Sequence, residues 1–318
     1  MVGILRPLKA QDLDKALTLF MHQYEEERMQ VVSLPPFEEI QSFVKTGIRK
    51  LIELDLGISF IENDKITGYL VPVYIDRFWG ASDGSLIPLF GHAAKKENRK
   101  HIYQTLYKAL SQTWVNQNKL SHAIKLHAHD KDTIDTWFNL GFGNRCIDAI
   151  KHLEDKATVN KSLDIKKVSK EDVSDVVNIK EAFSKHFHHA PLFMRGNDED
   201  ESAIRKDFID FVTKENHHYW LAYKEDKAVG LIKAQPTGET QISKHTSMMN
   251  VSGLYVLDDY RKQAIAHDLL RTCEQYFINK GYIYLGVDYE SFNLSGKDFW
   301  DKYFMPYTCT LARRIDEI

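Results

Sequence analysis

The sequence predicts an α/β protein built from two copies of one mixed-sheet unit. Residues 5–13 resemble residues 165–173 at an offset of 160, and the hairpin-like residues 64–70 resemble residues 226–232 at an offset of 162. Within each half, stretches of helical periodicity alternate with short strand-like runs, which is typical of a sheet covered by helices. A nearly constant offset over several elements indicates an internal repeat.

Each copy is predicted to contain the same elements in the same order. After an opening strand come a helix (10–28 and 170–185), a variable polar segment, a hairpin (57–75 and 218–235), a further strand, a turn and helix (98–117 and 261–279), a strand (122–128 and 282–288), a short helix (131–140 and 294–303) and a last strand. The turn-and-helix segment has apolar residues at every fourth position, namely Ile102, Leu106, Leu110 and Trp114 in the first copy and Ile265, Leu269, Cys273 and Phe277 in the second. Gly281 is a typical stop signal for the second of these helices.

A chain of 318 residues is long enough for two domains, each with its own core. Residues 152–163 are polar and weakly patterned, as expected of a linker. We therefore expect domains at residues 1–155 and 156–318.

Composition excludes several classes of function. The net charge is −3 and no basic block stands out, so we expect no nucleic-acid partner. The N-terminus does not resemble a signal peptide, and no apolar run approaches ~18 residues, so we expect no membrane partner. The three cysteines lie far apart, which favours a reducing, cytoplasmic location. The histidines match no metal-binding spacing, so we expect no metal.

Residues 254–270 are the most informative stretch of the chain. They indicate a strand end, a short turn and the first turns of an amphipathic helix. Free backbone N–H groups at a helix N-terminus suit an anionic phosphate group.

These residues resemble the GNAT superfamily of acyl-coenzyme A-dependent N-acyltransferases, and the resemblance covers both copies. The family signature, Arg/Gln-x-x-Gly-x-Gly/Ala, is matched by residues 261–266, Arg-Lys-Gln-Ala-Ile-Ala. Downstream, Asn293, Gly296, Phe299 and Trp300 resemble the family's Asn-x-x-Ala-x-x-Phe/Leu-Tyr helix. The resemblance implies two tandem α/β domains that form an internal pseudo-dimer.

The resemblance also implies a binding site for acetyl-coenzyme A in the second copy. The expected pyrophosphate contacts are Arg261, Lys262, Gln263, Ala264, Ile265 and Ala266. The strand residues expected to pair with the pantetheine arm are Leu254, Tyr255 and Val256. Asn293 is expected to bond to the same arm or to cap the next helix, and Trp300 to pack against the thiol end.

The sequence departs from the family pattern at the phosphate loop. Ala264 replaces the first signature glycine, which costs roughly 1–2 kcal/mol if this position needs a positive φ. In the first copy the aligned residues 98–103 carry bulky His101 and Tyr103 at the small positions. We expect that the first copy has lost the cofactor site.

A second departure concerns the acid. Trp137 and Trp300 stand where many family members have a tyrosine that protonates the leaving thiolate, and an indole N–H is no practical acid. Tyr303, one turn later, is the nearest substitute, while Asp288 and Glu290 could accept the amine proton through water.

The sequence thus favours an acetyl-CoA-dependent N-acetyltransferase that acts on a small-molecule or peptide amine, as a monomer or weak homodimer. Two alternatives stay open: a catalytically inactive CoA-binding sensor or scaffold, and an interaction protein with both sites lost. The acceptor amine is not predicted.

Overall fold

A computed structural model describes residues 3–80, 82–154, 163–194 and 200–315. The chain divides into two compact units: unit 1 is Met1–Asp148 with Met305–Ile318, and unit 2 is Ala149–Phe304. The predicted linker lies largely outside the described residues, so the boundary at residue 155 stays a prediction.

The described residues form fourteen strands and eight α-helices. In chain order they are β1 (Ile4–Pro7), α1 (Leu13–Arg28), α2 (Phe37–Glu53), β2 (Ile58–Glu62), β3 (Lys65–Leu70), β4 (Val73–Ile75), β5 (Asp83–Ile87), β6 (His92–Ala94), α3 (Arg99–Asn116), β7 (Lys119–His127), α4 (Lys131–Phe138), β8 (Gly143–His152), β9 (Asp164–Lys167), α5 (Val173–His188), α6 (Glu201–Val212), β10 (His218–Lys224), β11 (Lys227–Gln235), β12 (Met248–Val256), α7 (Ile265–Asn279), β13 (Tyr284–Glu290), α8 (Leu294–Trp300) and β14 (Met305–Arg314).

The predicted mixed α/β sheet is confirmed in each unit. In unit 1, β1, β2, β3 and β6 form one antiparallel sheet, while β5 pairs parallel and β14 antiparallel with β7. In unit 2, β9 to β12 pair antiparallel in sequence order, and β12 pairs parallel with β13. The parallel pair places the end of β12 beside the start of α7.

The turns of the two hairpins show that the copies share local geometry. Asn63 and Asp64 have φ values of 49° and 58°, and Glu225 and Asp226 have φ values of 49° and 60°. Two consecutive left-handed residues are typical of the tight turn whose twist matches two antiparallel strands. The two turns lie at the predicted offset of 162.

A second shared feature is the glycine in each hairpin. A Cβ on Gly68 would lie 2.4 Å from the Ile102 side chain, and a Cβ on Gly230 would lie 3.2 Å from the Ile265 side chain. In both copies the missing side chain lets the helix approach the sheet closely. The internal repeat is therefore confirmed in packing as well as in pattern.

The predicted apolar stripes form the cores. Ile265, Leu269, Cys273 and Phe277 of α7 are buried, as are their four counterparts in α3. Gly281 adopts a φ of 82° directly after α7, so the predicted stop signal is confirmed.

Two helices lie in the segments that were predicted only as variable and polar. One is α2, whose buried face is formed by Ile40, Val44, Ile48 and Ile52. The other is α6, where Ile204 and Phe208 are buried.

The last strand belongs to unit 1. β14 pairs with β7 from Thr308 opposite His127 to Arg314 opposite Ser121. The unit boundary lies between Asp148 and Ala149, inside β8. Unit 2 is thus continuous, whereas unit 1 is assembled from two separated stretches of chain.

Candidate functional site

Strand β12 leaves its parallel neighbour halfway along its length. Pairing with β13 runs from Met248 opposite Tyr284 to Val251 opposite Val287 and ends there, although both strands continue. A register shift in the β11 pairing occurs at the same place, where Lys233 faces Gly253 and the next pair is Ala234 with Val251. Ser252 is the extra residue of this bulge, which turns the end of β12 away from β13.

The bulge leaves backbone groups available on one side of β12. Leu257 N donates to Val229 O at 3.0 Å, so Tyr255 opposite Leu231 is the next hydrogen-bonded pair. The backbones of Leu254 and Val256 consequently point to the opposite side, where β13 has separated. These positions can pair with an extended ligand as a strand would.

The loop that follows β12 has an unusual backbone. Lys262 and Ala264 adopt φ values of 62° and 61°, and Ala264 lies at the N-cap of α7. Alanine in this left-handed region costs roughly 1–2 kcal/mol. The fold therefore gives Ala264 the strained backbone with a positive φ, for which the sequence predicts an energetic cost.

This backbone presents a row of donors. Within the described residues, the N–H groups of residues 262–267 make no hydrogen bond to the protein, and the first bond of the helix runs from Asp268 N to Ala264 O at 3.0 Å. Residues 261–264 are exposed. Unpartnered N–H groups at the positive end of a helix dipole form a site that fits a pyrophosphate.

The side chain of Arg261 turns back onto the strand. Its Nε donates to Val256 O at 3.2 Å, and its Nη2 lies 2.7 Å from Asp258 Oδ1. The guanidinium also lies 5.3 Å from the ring centroid of Tyr255. Arg261 thus orients the loop on the strand, and the N–H of Val256 remains available.

Tyr255 takes part in the core through its side chain. Its ring is 8% exposed and stacks on Phe183 with a centroid distance of 5.2 Å. Burial raises the pKa of its hydroxyl, which donates to Asp258 Oδ1 at 3.2 Å. All three predicted strand residues lie opposite β11, but Tyr255 is the one whose backbone hydrogen-bonds to that strand.

Asn293 caps α8. Its Oδ1 accepts from Gly296 N at 3.3 Å, and His186 Nε2 lies 3.4 Å from the same oxygen. Asp130 caps α4 in the same way in the first copy, where it accepts from Thr133 N at 3.2 Å. Of the two roles expected for Asn293, helix capping is confirmed.

Trp300 and Tyr303 lie at the end of α8. The Trp300 ring is buried against Phe299 and Phe304, at centroid distances of 5.0 and 5.5 Å. Tyr303 is partly exposed, and its ring centroid lies 5.9 Å from that of His267.

His267 was not predicted as a site residue. It occupies the first turn of α7, and its Nδ1 lies 3.2 Å from Asp268 Oδ1. A titratable side chain directly after the phosphate-binding signature is a signal that could have identified it. The fold brings it beside Tyr303, which is 36 residues away in sequence.

The first copy lacks the open loop. α3 begins at Arg99, so residues 99–101 are helical, whereas Lys262 and Ala264 at the aligned positions are left-handed. Arg99 is buried, and its Nη1 contacts Glu26 and Asp130 at 3.0 and 2.8 Å. No helix in the described part of the chain is long and apolar enough to cross a membrane.

The site residues of unit 2 fall inside a recognised family region. Residues 181–303 match the acetyltransferase (GNAT) family. The human protein N-acetyltransferase 8 is 28% identical over 121 residues, which are 36% of this chain and 51% of that protein. The chain thus spans about half the length of this curated relative.

Solved structures of GNAT proteins share the fold of this chain. A GCN5-related N-acetyltransferase from Sphaerobacter thermophilus has a TM-score of 0.64 at 12% identity, covering 99% of this chain and 96% of that chain. A tandem GNAT protein from the clavulanic acid biosynthesis pathway has a TM-score of 0.51 at 10% identity, covering 100% of both chains. The predicted tandem GNAT architecture is confirmed at the level of the fold.

Proposed function

We propose that unit 2 binds acetyl-coenzyme A and transfers its acetyl group to an amine. The observation that carries the proposal is the coincidence of two features at the end of β12. The strand separates from β13 after Val251, and the loop beyond it presents unpartnered N–H groups. The first feature suits the amide-rich pantetheine arm and the second suits the pyrophosphate.

Each predicted cofactor residue takes a role that follows from its geometry. Leu254 and Val256 offer backbone groups to the arm, while Tyr255 and Arg261 support the strand and the loop. The backbone donors to the pyrophosphate are Lys262, Gln263, Ala264, Ile265 and Ala266. Asn293 orients α8, so that Trp300 lies near the thiol end.

Acetyl-coenzyme A supplies an activated thioester. In the mechanism that we propose, the amine nitrogen forms the new bond to the acetyl carbon, and the carbon–sulfur bond breaks. Val256 N–H donates to the developing oxyanion, which is the transition-state charge that most needs stabilisation. The proton from the amine leaves through water near Asp288 or Glu290, and Tyr303 protonates the thiolate with His267 orienting its hydroxyl.

The second candidate function is binding of coenzyme A without turnover. Trp300 is buried among aromatic rings at the position of the family acid, so no hydroxyl lies there. This observation favours a sensor or scaffold. Turnover of any amine excludes it.

The cofactor proposal is tested by isothermal titration with acetyl-coenzyme A. Ala264→Glu places a carboxylate in the phosphate loop and is expected to abolish binding, whereas Ala264→Gly keeps the left-handed backbone and is the matched control. Binding of one equivalent supports the proposal, and two equivalents would show that the first copy also binds. Absence of binding would overturn it.

Thiol release in the presence of small-molecule and peptide amines then separates the two functions. Acetyl-coenzyme A-dependent release with any amine establishes an acetyltransferase. Tight binding without release over the whole panel supports the sensor.

We further propose that the protein acts in the cytoplasm as a monomer or weak homodimer, without a nucleic-acid partner. Its three cysteines are free thiols, and Cys273 and Cys309 are buried. Sedimentation analysis tests the oligomeric state.

A further inference from the structure

Unit 1 contains a cavity of about 750 Å³. Its walls come from α1, the loop before α3 and the first turn of that helix, the end of β7 and the length of α4. Its volume falls within the range of small-molecule sites, roughly 300–1,000 Å³. All of its lining residues belong to unit 1, so the cavity is complete within this unit.

The cavity occupies the place of the candidate cofactor site of the other copy, but its chemistry is different. Arg99 aligns with Lys262 at the offset of 163, and its guanidinium is already bound by Glu26 and Asp130. Arg99 Nε also donates to Ala94 O at 3.2 Å. The buried cation is therefore satisfied by protein groups and does not offer an anion site.

Carboxylates dominate the inner wall. Glu27 lies on the cavity with its side chain only 1% exposed, and Glu26 and Asp130 are partly buried beside it. Glu27 Oε1 lies 2.8 Å from His129 Nδ1, and Glu27 Oε2 accepts from His129 N at 3.1 Å. The other charged side chains that line the cavity are Asp132, Asp135, Lys96, Lys100 and Lys131, and Lys96 Nζ lies 3.7 Å from Glu26 Oε1. With histidine counted as neutral, carboxylates outnumber basic side chains by five to four, so the lining carries a net charge of −1 and favours a cation.

A buried histidine provides an independent sign of a ligand. His127 lines the cavity, and its side chain is 4% exposed. Its ring approaches the backbone of Tyr307, whose carbonyl can accept from only one of the two ring nitrogens, so the other nitrogen has no protein partner among the described residues. Burial lowers its pKa to about 3, so the ring is neutral at pH 7. A neutral imidazole has one acceptor and one donor nitrogen, and an unmatched buried polar group is uncommon in a folded protein.

We propose that the cavity of unit 1 binds a small organic cation that carries a primary ammonium group. The ammonium group has three donors and no acceptor, which matches the carboxylates of Glu26 and Glu27 and the acceptor nitrogen of His127. A coenzyme A pyrophosphate would meet these carboxylates with like charge. The first copy thus provides a second binding site. It prefers a cation, whereas the site in unit 2 is proposed to bind an anionic cofactor.

The test is isothermal titration of the full-length protein with spermidine, ethanolamine and glucosamine at low ionic strength. At least one is expected to bind with one equivalent per chain, and sodium chloride at matched ionic strength is the blank. If none of the three binds at millimolar concentration, the proposal is wrong.

Variants of α1 locate the site. Glu27→Gln and Glu26→Gln are each expected to weaken binding by at least about tenfold, which corresponds to ~1.4 kcal/mol. Glu25→Gln is the matched control, because Glu25 lies on the same helix, pairs with Arg28 and does not line the cavity. Circular dichroism tests whether each variant is folded. If Glu27→Gln does not fold, Glu26→Gln carries the test.

A third variant separates this site from unit 2. Ala264→Glu is expected to leave cation binding unchanged, since residue 264 is in the other unit. Loss of cation binding in Ala264→Glu, or unchanged binding in both folded α1 variants, would overturn the proposal.

Discussion

At the scale of single residues, Ala264 shows how the fold tolerates a substitution that the family pattern disfavours. The residue keeps a φ of 61°, which glycine adopts freely and alanine does not. The loop therefore retains its shape at a local cost. The buried stripe of α7, which follows directly, provides the packing that offsets this cost.

Ala264→Gly is expected to raise the free energy of unfolding of unit 2 by about 0.5–1 kcal/mol, because relief of strain exceeds the added entropy of the unfolded chain. Urea denaturation measures the change. Ala266→Gly, inside the helix, is the control and should lower the free energy of unfolding by about 0.5–1 kcal/mol. Destabilisation by both variants would show that Ala264 is not strained.

Tyr303→Phe is expected to lower kcat by about 100-fold if its hydroxyl protonates the thiolate. The Kd for acetyl-coenzyme A should not change, because the ring is retained. Tyr282→Phe is the control for loss of a hydroxyl. His267→Gln should lower kcat by less than Tyr303→Phe does. An unchanged kcat in Tyr303→Phe would assign the proton to solvent.

His92 makes the stability of unit 1 sensitive to acid. Burial lowers its pKa to about 4, and its Nε2 donates to Lys125 O at 2.7 Å. Its pKa in the unfolded chain is about 6.5, so between these values the unfolded state binds more protons than the folded state. His92 should therefore contribute about 3 kcal/mol to the fall in the free energy of unfolding as the pH drops from ~6.5 to ~4.

His92→Gln keeps a donor and an acceptor but cannot be protonated in this range, so its melting temperature should depend less on pH. Thermal melting between pH 7 and pH 4.5 measures the difference. His22→Gln, at an exposed position, controls for the loss of a histidine. Parallel pH profiles for wild type and His92→Gln would contradict the assignment.

At the scale of elements, the two edges of β12 have different roles. One edge hydrogen-bonds to β11, and the other is open to a ligand. Tyr255 is paired with Leu231, whereas the backbone of Leu254 points to the side that β13 has left. The two residues therefore predict different consequences of losing a single N–H group.

Leu254→Pro removes an N–H that makes no bond to β11, and Gly253 before it accommodates the proline ring. The variant should fold but bind acetyl-coenzyme A at least about tenfold more weakly, a loss of ~1.4 kcal/mol. Tyr255→Pro removes a ladder bond and should lower the melting temperature sharply. Calorimetry and titration together test the pair, and wild-type affinity in Leu254→Pro would refute the strand-like mode of binding.

Much of the element order could be predicted from the sequence, because α3 and α7 carry regular apolar stripes and the hairpins carry their own turn residues. Helix α2 was missed although Ile40, Val44, Ile48 and Ile52 recur every four residues, so its signal was present. The contact of His267 with Tyr303 could not be predicted, since it depends on how α7 and α8 lie across the sheet. The acidic cavity of unit 1 could not be predicted either, because it also depends on how helices and strands pack together.

At the scale of the whole molecule, the position of β14 could not be predicted from periodicity either. β8 and β14 have equivalent patterns of apolar and polar residues, and such a pattern does not determine which strand each of them pairs with. Pairing with β7 and the hydrogen bond from Thr308 to Asp148 place β14 in unit 1. Unit 1 therefore depends on residues far beyond its first stretch.

Deletion of residues 305–318 should destabilise unit 1 selectively. Hydrogen exchange of the β7 amides is expected to rise at least about tenfold, because their cross-strand bonds are lost. The amides of β10 and β11 are the internal control and should exchange as in the full chain. Equal acceleration in both units would contradict the assignment of β14 to unit 1.

The place of β14 also sets the order in which the units can be completed during synthesis. A ribosome releases all of unit 2, which ends at Phe304, before it releases the strand that closes unit 1. The N-terminal unit consequently matures last, with the edge of β7 uncovered while more than half of the chain is made. Nascent chains of this protein are therefore expected to need protection of an N-terminal sheet edge until translation has passed residue 314.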